Sequence, residues 1–345
     1  MKKLFVLAVV VAVVFACRRW GVDVVGTTGA SMWPAVPASG TTLWVDRTAA
    51  WRNCVDRFDL AVFAIDAQRV VKRVVGLAGE CVSIRGGDLW IRTPDGGFAR
   101  LRRPEDVLAA QRCPIVPGFR TLSVEGPASV TPSGGISWSG APGVESRIVA
   151  RRSDGETRLL DDAWLRDEVP SIGTEDVTDI RVALRALKLT DTGRIRIEHV
   201  VGDDRLVVDV DTAGIVATRT GDGLDPAPVR FPGVPVGDLV VDTLDGVTSI
   251  RLAGTDASRP LWSVPRDTTR GGPSRLILTV AGSGSVESVR IDRDVHYRAN
   301  GDSAPVVVPS DAVFVLGDNP AASTDGRDFG PISIGALKGR VLKGR

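Results

Sequence analysis

Val70-Val71-Lys72-Arg73-Val74-Val75-Gly76-Leu77-Ala78-Gly79-Glu80 reads as a β-strand running into a turn. β-Branched residues on both sides of a basic pair favour an extended chain, and Gly-Leu-Ala-Gly breaks it. In such a strand Val70, Lys72 and Val74 share one face, and Arg73 lies on the other. The Lys72 face is apolar apart from its amine. Lysine ordinarily titrates near 10.4, and an apolar setting pushes it toward the neutral form. Arg73 suits a solvated face. A lysine on an exposed edge strand would give the same string, so the surroundings decide.

Outward from this strand the chain stays β. Apolar or β-branched runs at 41–45, 60–65, 81–84, 311–316 and 337–342 alternate with breakers such as Asp56-Arg57-Phe58-Asp59. Between about 93 and 305 lies a second series. Ile180, Val182 and Leu184 recur at period two, and Ile195, Ile197 and His199 alternate with charged residues. Further runs fall at 206–210, 239–241, 247–252, 276–280 and 286–291. Turns such as Asp191-Thr192-Gly193, Gly202-Asp203-Asp204 and Gly282-Ser283-Gly284 separate many of them. Many short strands at fairly regular spacing predict a β-sandwich. Helical patterns are confined to 104–111 and 161–169, and the Gly- and Pro-rich stretch 126–143 reads as a loop.

The composition fits. The chain has 345 residues, enough for two domains, and 43% are hydrophobic. Lys+Arg is 43 against Asp+Glu 42, a net charge of +1. Such a balance carries no signature of a nucleic-acid partner or of an acidic disordered tail. At the amino terminus Met1-Lys2-Lys3 precedes an apolar run from Leu4 to Cys17, closed by Arg18 and Arg19. The run is short of the ~20 residues that span a bilayer comfortably. Trp20 and the apolar-rich 21–25 extend it if the arginines snorkel. The expectation is an anchor over 1–20 with the rest of the chain outside the cytoplasm; a cleaved signal peptide fits the run's length equally well. That compartment permits a disulfide among Cys54, Cys81 and Cys113, with buried free thiols the equal alternative.

The chemistry lies at the two ends of the sequence. Gly29-Ala30-Ser31-Met32-Trp33-Pro34 offers a serine among small residues, which let a peptide approach closely. The Ser31 N–H is a donor for a developing oxyanion. Taken alone, this is equally an ordinary turn. The two histidines, His199 and His296, lie far from it in sequence, so Lys72 is the base that a serine nucleophile would use. As metal ligands, two lone histidines are weak candidates. Far downstream, Gly317-Asp318-Asn319 forms a tight turn after a strand. Ser323 is suited to fix a lysine rotamer, and Asp325 and Arg327 pair if their loop bends.

Jointly these segments resemble the type I signal peptidases, the Ser–Lys dyad family. Gly29–Pro34 looks like the nucleophile box, 58–63 like the following strand and 71–80 like the lysine box. The stretch 308–319, with Ser323, Asp325, Arg327, Phe329, Gly330 and Pro331, looks like the last box. The boxes come in family order and cover roughly a third of the chain; together they are far more specific than any one of them. The resemblance implies an all-β, membrane-anchored endopeptidase that cuts secretory preproteins after a small-x-small site. Ser31 would be nucleophile and Lys72 general base. Ser323 would hold the Lys72 amine, and Asp325 and Arg327 would brace the loop. It implies neither cofactor nor metal; the partners are preproteins, the bilayer and the secretion translocon. Gly29 stands where some members carry an oxyanion-hole serine. Phe58 replaces a common glycine, Ala78 a common proline, and Pro320 and Gly326 common polar residues.

The expected organisation is an anchor over 1–20, a catalytic β domain in two parts, 21–92 and 306–345, and an inserted β-sandwich over 93–305. Two other readings fit the same residues. One is a Ser–Lys processing peptidase with a narrow substrate set. The other is a membrane-tethered β-sandwich binding protein on a vestigial peptidase scaffold.

Overall fold

The computed structural model describes residues 21–37, 40–51, 54–66, 68–116, 118–141, 143–164, 170–171, 173–190, 192–221, 227–233, 237–252, 260–265, 272–298 and 304–342. The expected anchor over 1–20 lies outside them. Among the described residues no helix is long and apolar enough to cross a membrane. Strands dominate, and the chain divides into two compact units. The first takes the described residues up to Gln111, those of Trp164–Ser171, and those from Tyr297 onward. The second takes those of Arg112–Ala163 and Ile172–His296.

The first unit is built on Val22–Gly26 (β1), Thr42–Asp46 (β2), Leu60–Ile65 (β3), Gln68–Gly76 (β4), Cys81–Arg85 (β5), Asp88–Arg92 (β6), Phe98–Arg100 (β7), Val306–Val307 (β8), Ala312–Leu316 (β9), Ile332–Ser333 (β10) and Leu337–Val341 (β11). Its main sheet runs β1-β2-β11-β3-β4-β9-β10, and a smaller one runs β8-β5-β6-β7. In the main sheet three strands from the carboxy-terminal end of the sequence join those from the amino-terminal end: β11 lies between β2 and β3, and β9 pairs with β4 and carries β10 at the edge. Ala61, Phe63, Val74, Val313, Val315 and Leu337 form an apolar core.

The lysine strand β4 is therefore not an edge. Ala61 stands opposite Lys72, and Leu60 and Leu316 flank Arg73. Phe58, which enters β3, has a left-handed backbone at φ +70°, a conformation that favours glycine. It is tied at both ends: its N–H donates to the Val74 carbonyl at 2.7 Å, and its own carbonyl accepts from Arg73 Nη1 at 2.8 Å. After β4, Arg57 and Glu80 form an ion pair across the turn, and Glu80 Oε2 accepts the Leu77 N–H at 2.7 Å.

Among the described residues this unit also holds three short α-helices, Thr48–Trp51 (α1), Glu105–Gln111 (α2) and Gly326–Phe329 (α3). The helix expected at 161–169 does not form over the described part. Ala163–Trp164 is a strand; the remainder, 165–169, lies outside the described residues.

Among its described residues the second unit is all β. One sheet joins Val229–Pro232, Gly214–Thr220, Asp204–Asp211, Arg194–Val201, Ser274–Ala281, Glu145–Arg151 and Thr121–Glu125 in that order. The other is centred on Ile180–Leu189, which pairs with both Gly237–Leu244 and Ser288–Arg293. Ile148, Ile195, Ile197 and Leu278 from the first sheet share one apolar core with Ile180, Leu184, Val241 and Ile291 from the second. Two antiparallel sheets enclosing one core make a sandwich. His199 is buried in this unit, with Nε2 3.2 Å from Ser274 Oγ. Cys54, Cys81 and Cys113 are all free thiols, the first exposed and the others buried.

Candidate active site

Strand β4 presents Lys72 on its core-facing side, and the side chain is only 4% exposed. Its Nζ donates to Ser323 Oγ at 2.9 Å. Burial pushes the Lys72 amine below its usual range. The nearby Asp325 carboxylate pulls it back up, and Arg327 pushes it down again. A lysine held toward neutrality is a usable base.

The Ser31 loop hangs on the turn that follows β9. Asn319 N–H donates to the Ser31 carbonyl at 2.9 Å, and Asn319 Nδ2 to the Ala30 carbonyl at 3.0 Å. Within the loop, Trp33 N–H donates to the Ala30 carbonyl at 3.0 Å. Met32 is buried, and the Trp33–Pro34 peptide bond is cis. The turn begins at Gly317 because nothing larger fits. A Cβ there would lie 2.1 Å from Ser323 Oγ and 2.6 Å from the Ser31 carbonyl. Both groups thus crowd the one point where Gly317 lacks a Cβ, and this brings the Ser31 backbone close to the Ser323 hydroxyl that holds Lys72. The Ser31 hydroxyl itself has no hydrogen-bond partner among the described residues.

Asp325 and Arg327 lock the loop that carries Ser323. The buried Asp325 accepts the Gly317 N–H at 2.8 Å and Arg327 Nε at 2.8 Å. It also caps α3 in a reciprocal capping box with Asp328. Arg327 Nη2 reaches the Pro320 carbonyl at 3.1 Å. Gly326, where a polar residue is common in the family resembled, has no room for one. Its Cβ would lie 2.7 Å from the Phe314 ring. Gly29 is the opposite case, since a Cβ there meets nothing within 4 Å.

Asp318 has a partner that the sequence reading placed elsewhere. Arg73, expected on a solvated face, is 3% exposed and pairs with Asp318, its Nε 2.7 Å from Oδ1. The sheet is covered on both faces here, so alternation along β4 leaves no solvent side. Gln111, at the end of α2, also donates to Asp318, and the same amide donates to the Tyr297 hydroxyl. Neither Gln111 nor Tyr297 had a local signal, because only the fold brings 111 to 318 and 297 to 111.

Beside the Ser31 loop, a cavity of about 320 Å³ is lined by Ala35, Val36, Leu43, Phe58, Leu60 and Val107, among others.

The family model for signal peptidase, peptidase S26, matches residues 1–106 and 279–343. This supports the signal peptidase family. The two matched stretches contain Ser31 and Lys72 on one side and Gly317 to Arg327 on the other. Most of the second unit falls in the gap between them. No curated protein matches the chain.

Solved structures that align with part of the chain include proteins of other kinds. The binding domain of botulinum neurotoxin DC, in complex with rat synaptotagmin II, is 9% identical over 50% of this chain, with a TM-score of 0.32. The chain spans 43% of that structure's length. Galectin LEC-6 of Caenorhabditis elegans is 14% identical over 47% of this chain and 99% of its own, with a TM-score of 0.28. The exoplasmic/lumenal domain of VIP36 is 10% identical over 54% of this chain and 93% of its own, with a TM-score of 0.34. Likeness at this level assigns no ligand or activity.

Proposed function

We propose that the chain is a membrane-bound serine endopeptidase. It removes signal peptides from secreted preproteins after a small-x-small site, with Ser31 as nucleophile and Lys72 as general base. The observation that carries this is the buried Lys72 amine, hydrogen-bonded to Ser323 and held beside the turn on which the Ser31 loop hangs. The family match supports the same class of reaction.

In the proposed cycle the neutral Lys72 amine takes the Ser31 proton as Oγ attacks the scissile carbonyl. The Ser31 N–H faces the oxyanion. Collapse of the tetrahedral intermediate breaks the peptide bond, and the Lys72 ammonium gives its proton to the departing amine of the mature protein. Water, deprotonated by Lys72, then hydrolyses the acyl-enzyme and frees the signal peptide's carboxyl end. Ser323 fixes the amine, while Asp325 and Arg327 fix Ser323. The cycle calls for no metal or cofactor.

The membrane part of the proposal rests on the apolar run Leu4–Cys17 and on one edge of the first unit. There Trp44 is 59% exposed, directly across the β1–β2 pair from the exposed Val24. Aromatic residues so placed suit a bilayer interface. The catalytic unit would then lie at the extracytoplasmic surface, where preproteins emerge from the translocon.

Incubating the full chain in detergent with a secretory preprotein, and reading the products by mass spectrometry, tests this. The expected result is one cut after a small-x-small triplet, lost when the last small residue becomes Phe. No cut, or a cut indifferent to that change, contradicts the reading.

A further inference from the structure

Gln111 and Tyr297 both belong to the first unit, Gln111 as the last residue before Arg112 and Tyr297 as the first after His296. Both are buried, Gln111 completely. Gln111 Nε2 donates to Asp318 Oδ1 at 2.6 Å and to the Tyr297 hydroxyl at 3.3 Å. Its Oε1 accepts from Arg103 Nη1 at 3.1 Å. Every polar atom of the amide side chain is thus committed. Asp318 Oδ1 in turn accepts from Arg73 Nε as well. The next residue, Asn319, holds the Ser31 and Ala30 carbonyls. A continuous buried chain of contacts runs from Gln111 through Asp318 and Asn319 to the Ser31 loop.

From this we infer that Gln111, with Tyr297 beside it, is a positioning residue for Ser31. It acts through Asp318 to fix the Gly317–Asn319 turn. The physical reason is the shared acceptor. Arg73 grips Asp318 through both carboxylate oxygens, Nε to Oδ1 and Nη2 to Oδ2, and so ties the turn to β4 alone. The Gln111 amide is a second donor from a different element, α2, and braces the same carboxylate from another direction. A turn free to shift by a fraction of an ångström moves the nucleophile without unfolding anything, and such misplacement is felt in turnover more than in binding. Gln111 lies beyond the first family-matched stretch, which ends at residue 106.

The inference rests on the peptidase reading for its kinetic consequence but not for its structural one, and the test separates the two. In the full-length protein, Gln111→Leu removes the donor while keeping most of the volume. Its kcat for preprotein cleavage is expected to fall about tenfold, with KM within about twofold of wild type. By hydrogen exchange, the Asn319 amide, which binds the Ser31 carbonyl, is expected to lose protection, while amides of Arg194–Val201 keep theirs. Tyr297→Phe, which deletes one hydroxyl, is expected to show the same pattern more weakly. It decides the matter if Gln111→Leu loses protection throughout. An unchanged kcat with unchanged Asn319 protection overturns the inference. If the wild type cleaves no preprotein, the peptidase reading fails and Asn319 protection alone decides the positioning role.

Discussion

Lys72 illustrates how a residue's neighbours set its chemistry. The amine sits in a strand flanked by valines, 4% exposed, with the Ser323 hydroxyl as its hydrogen-bond partner. Burial lowers its pKa from the ordinary 10.5. In the window between the lowered folded value and the ordinary unfolded one, the unfolded chain binds more protons than the folded one. Stability therefore rises with pH across that window, and the burial penalty is full below the folded value. Lys72→Met is accordingly expected to melt up to a few degrees higher than wild type at pH 6. Its advantage should shrink as pH approaches 10.5, followed by thermal unfolding at several pH values. A variant less stable than wild type at pH 6 would mean that the amine is not penalised by its surroundings. At this scale the sequence was readable for Lys72, because one face of one strand carried the signal. For Arg73 it was not. Alternation assigned it to solvent, but β4 lies in the middle of a sheet covered on both sides, and coverage is not encoded locally.

The decisive element is the turn after β9. Gly317 admits Ser323 and the Ser31 carbonyl at distances that no side chain would tolerate. Asp318 anchors the turn to β4 through Arg73, and Asn319 anchors the Ser31 loop to the turn. A tight turn was legible in Gly-Asp-Asn, but its clamping role was not, since both partners are more than two hundred residues away. The Arg73–Asp318 pair is buried, and removing one member of such a pair costs about 3–5 kcal/mol because the other charge stays behind. Arg73→Met is expected to destabilise the protein by that order in denaturant titration. Adding Asp318→Asn to it should recover part of the loss. A single variant as stable as wild type would show that the pair does not hold the turn. The same limit of local reading explains why Ala163–Trp164, expected at the start of a helix, forms a strand.

At the scale of the whole molecule, the two stretches that match the family model are adjacent in the main sheet of the first unit, whose strands β9 and β11 come from beyond the sandwich. The alternation at Ile180–Leu184 and Ile195–His199 made the sandwich legible. The points of departure and return were less so. Strand β7 and helix α2 belong to the first unit and carry it to Gln111, beyond the boundary at 92/93 that the sequence alone suggests. Each unit has its own apolar core. Calorimetry of the full chain is therefore expected to resolve two unfolding transitions, and Arg73→Met should shift only one of them. A single transition whose calorimetric and van't Hoff enthalpies agree would show that the units unfold as one.

The claim on which the rest depends is that Ser31 and Lys72 carry out the cleavage. The direct measurement is turnover of a signal-peptide-bearing preprotein in detergent by wild type, Ser31→Ala and Lys72→Ala, with the folded state of each variant checked by circular dichroism. Wild type is expected to cleave and both folded variants to be inactive. Full activity in either folded variant would contradict the dyad.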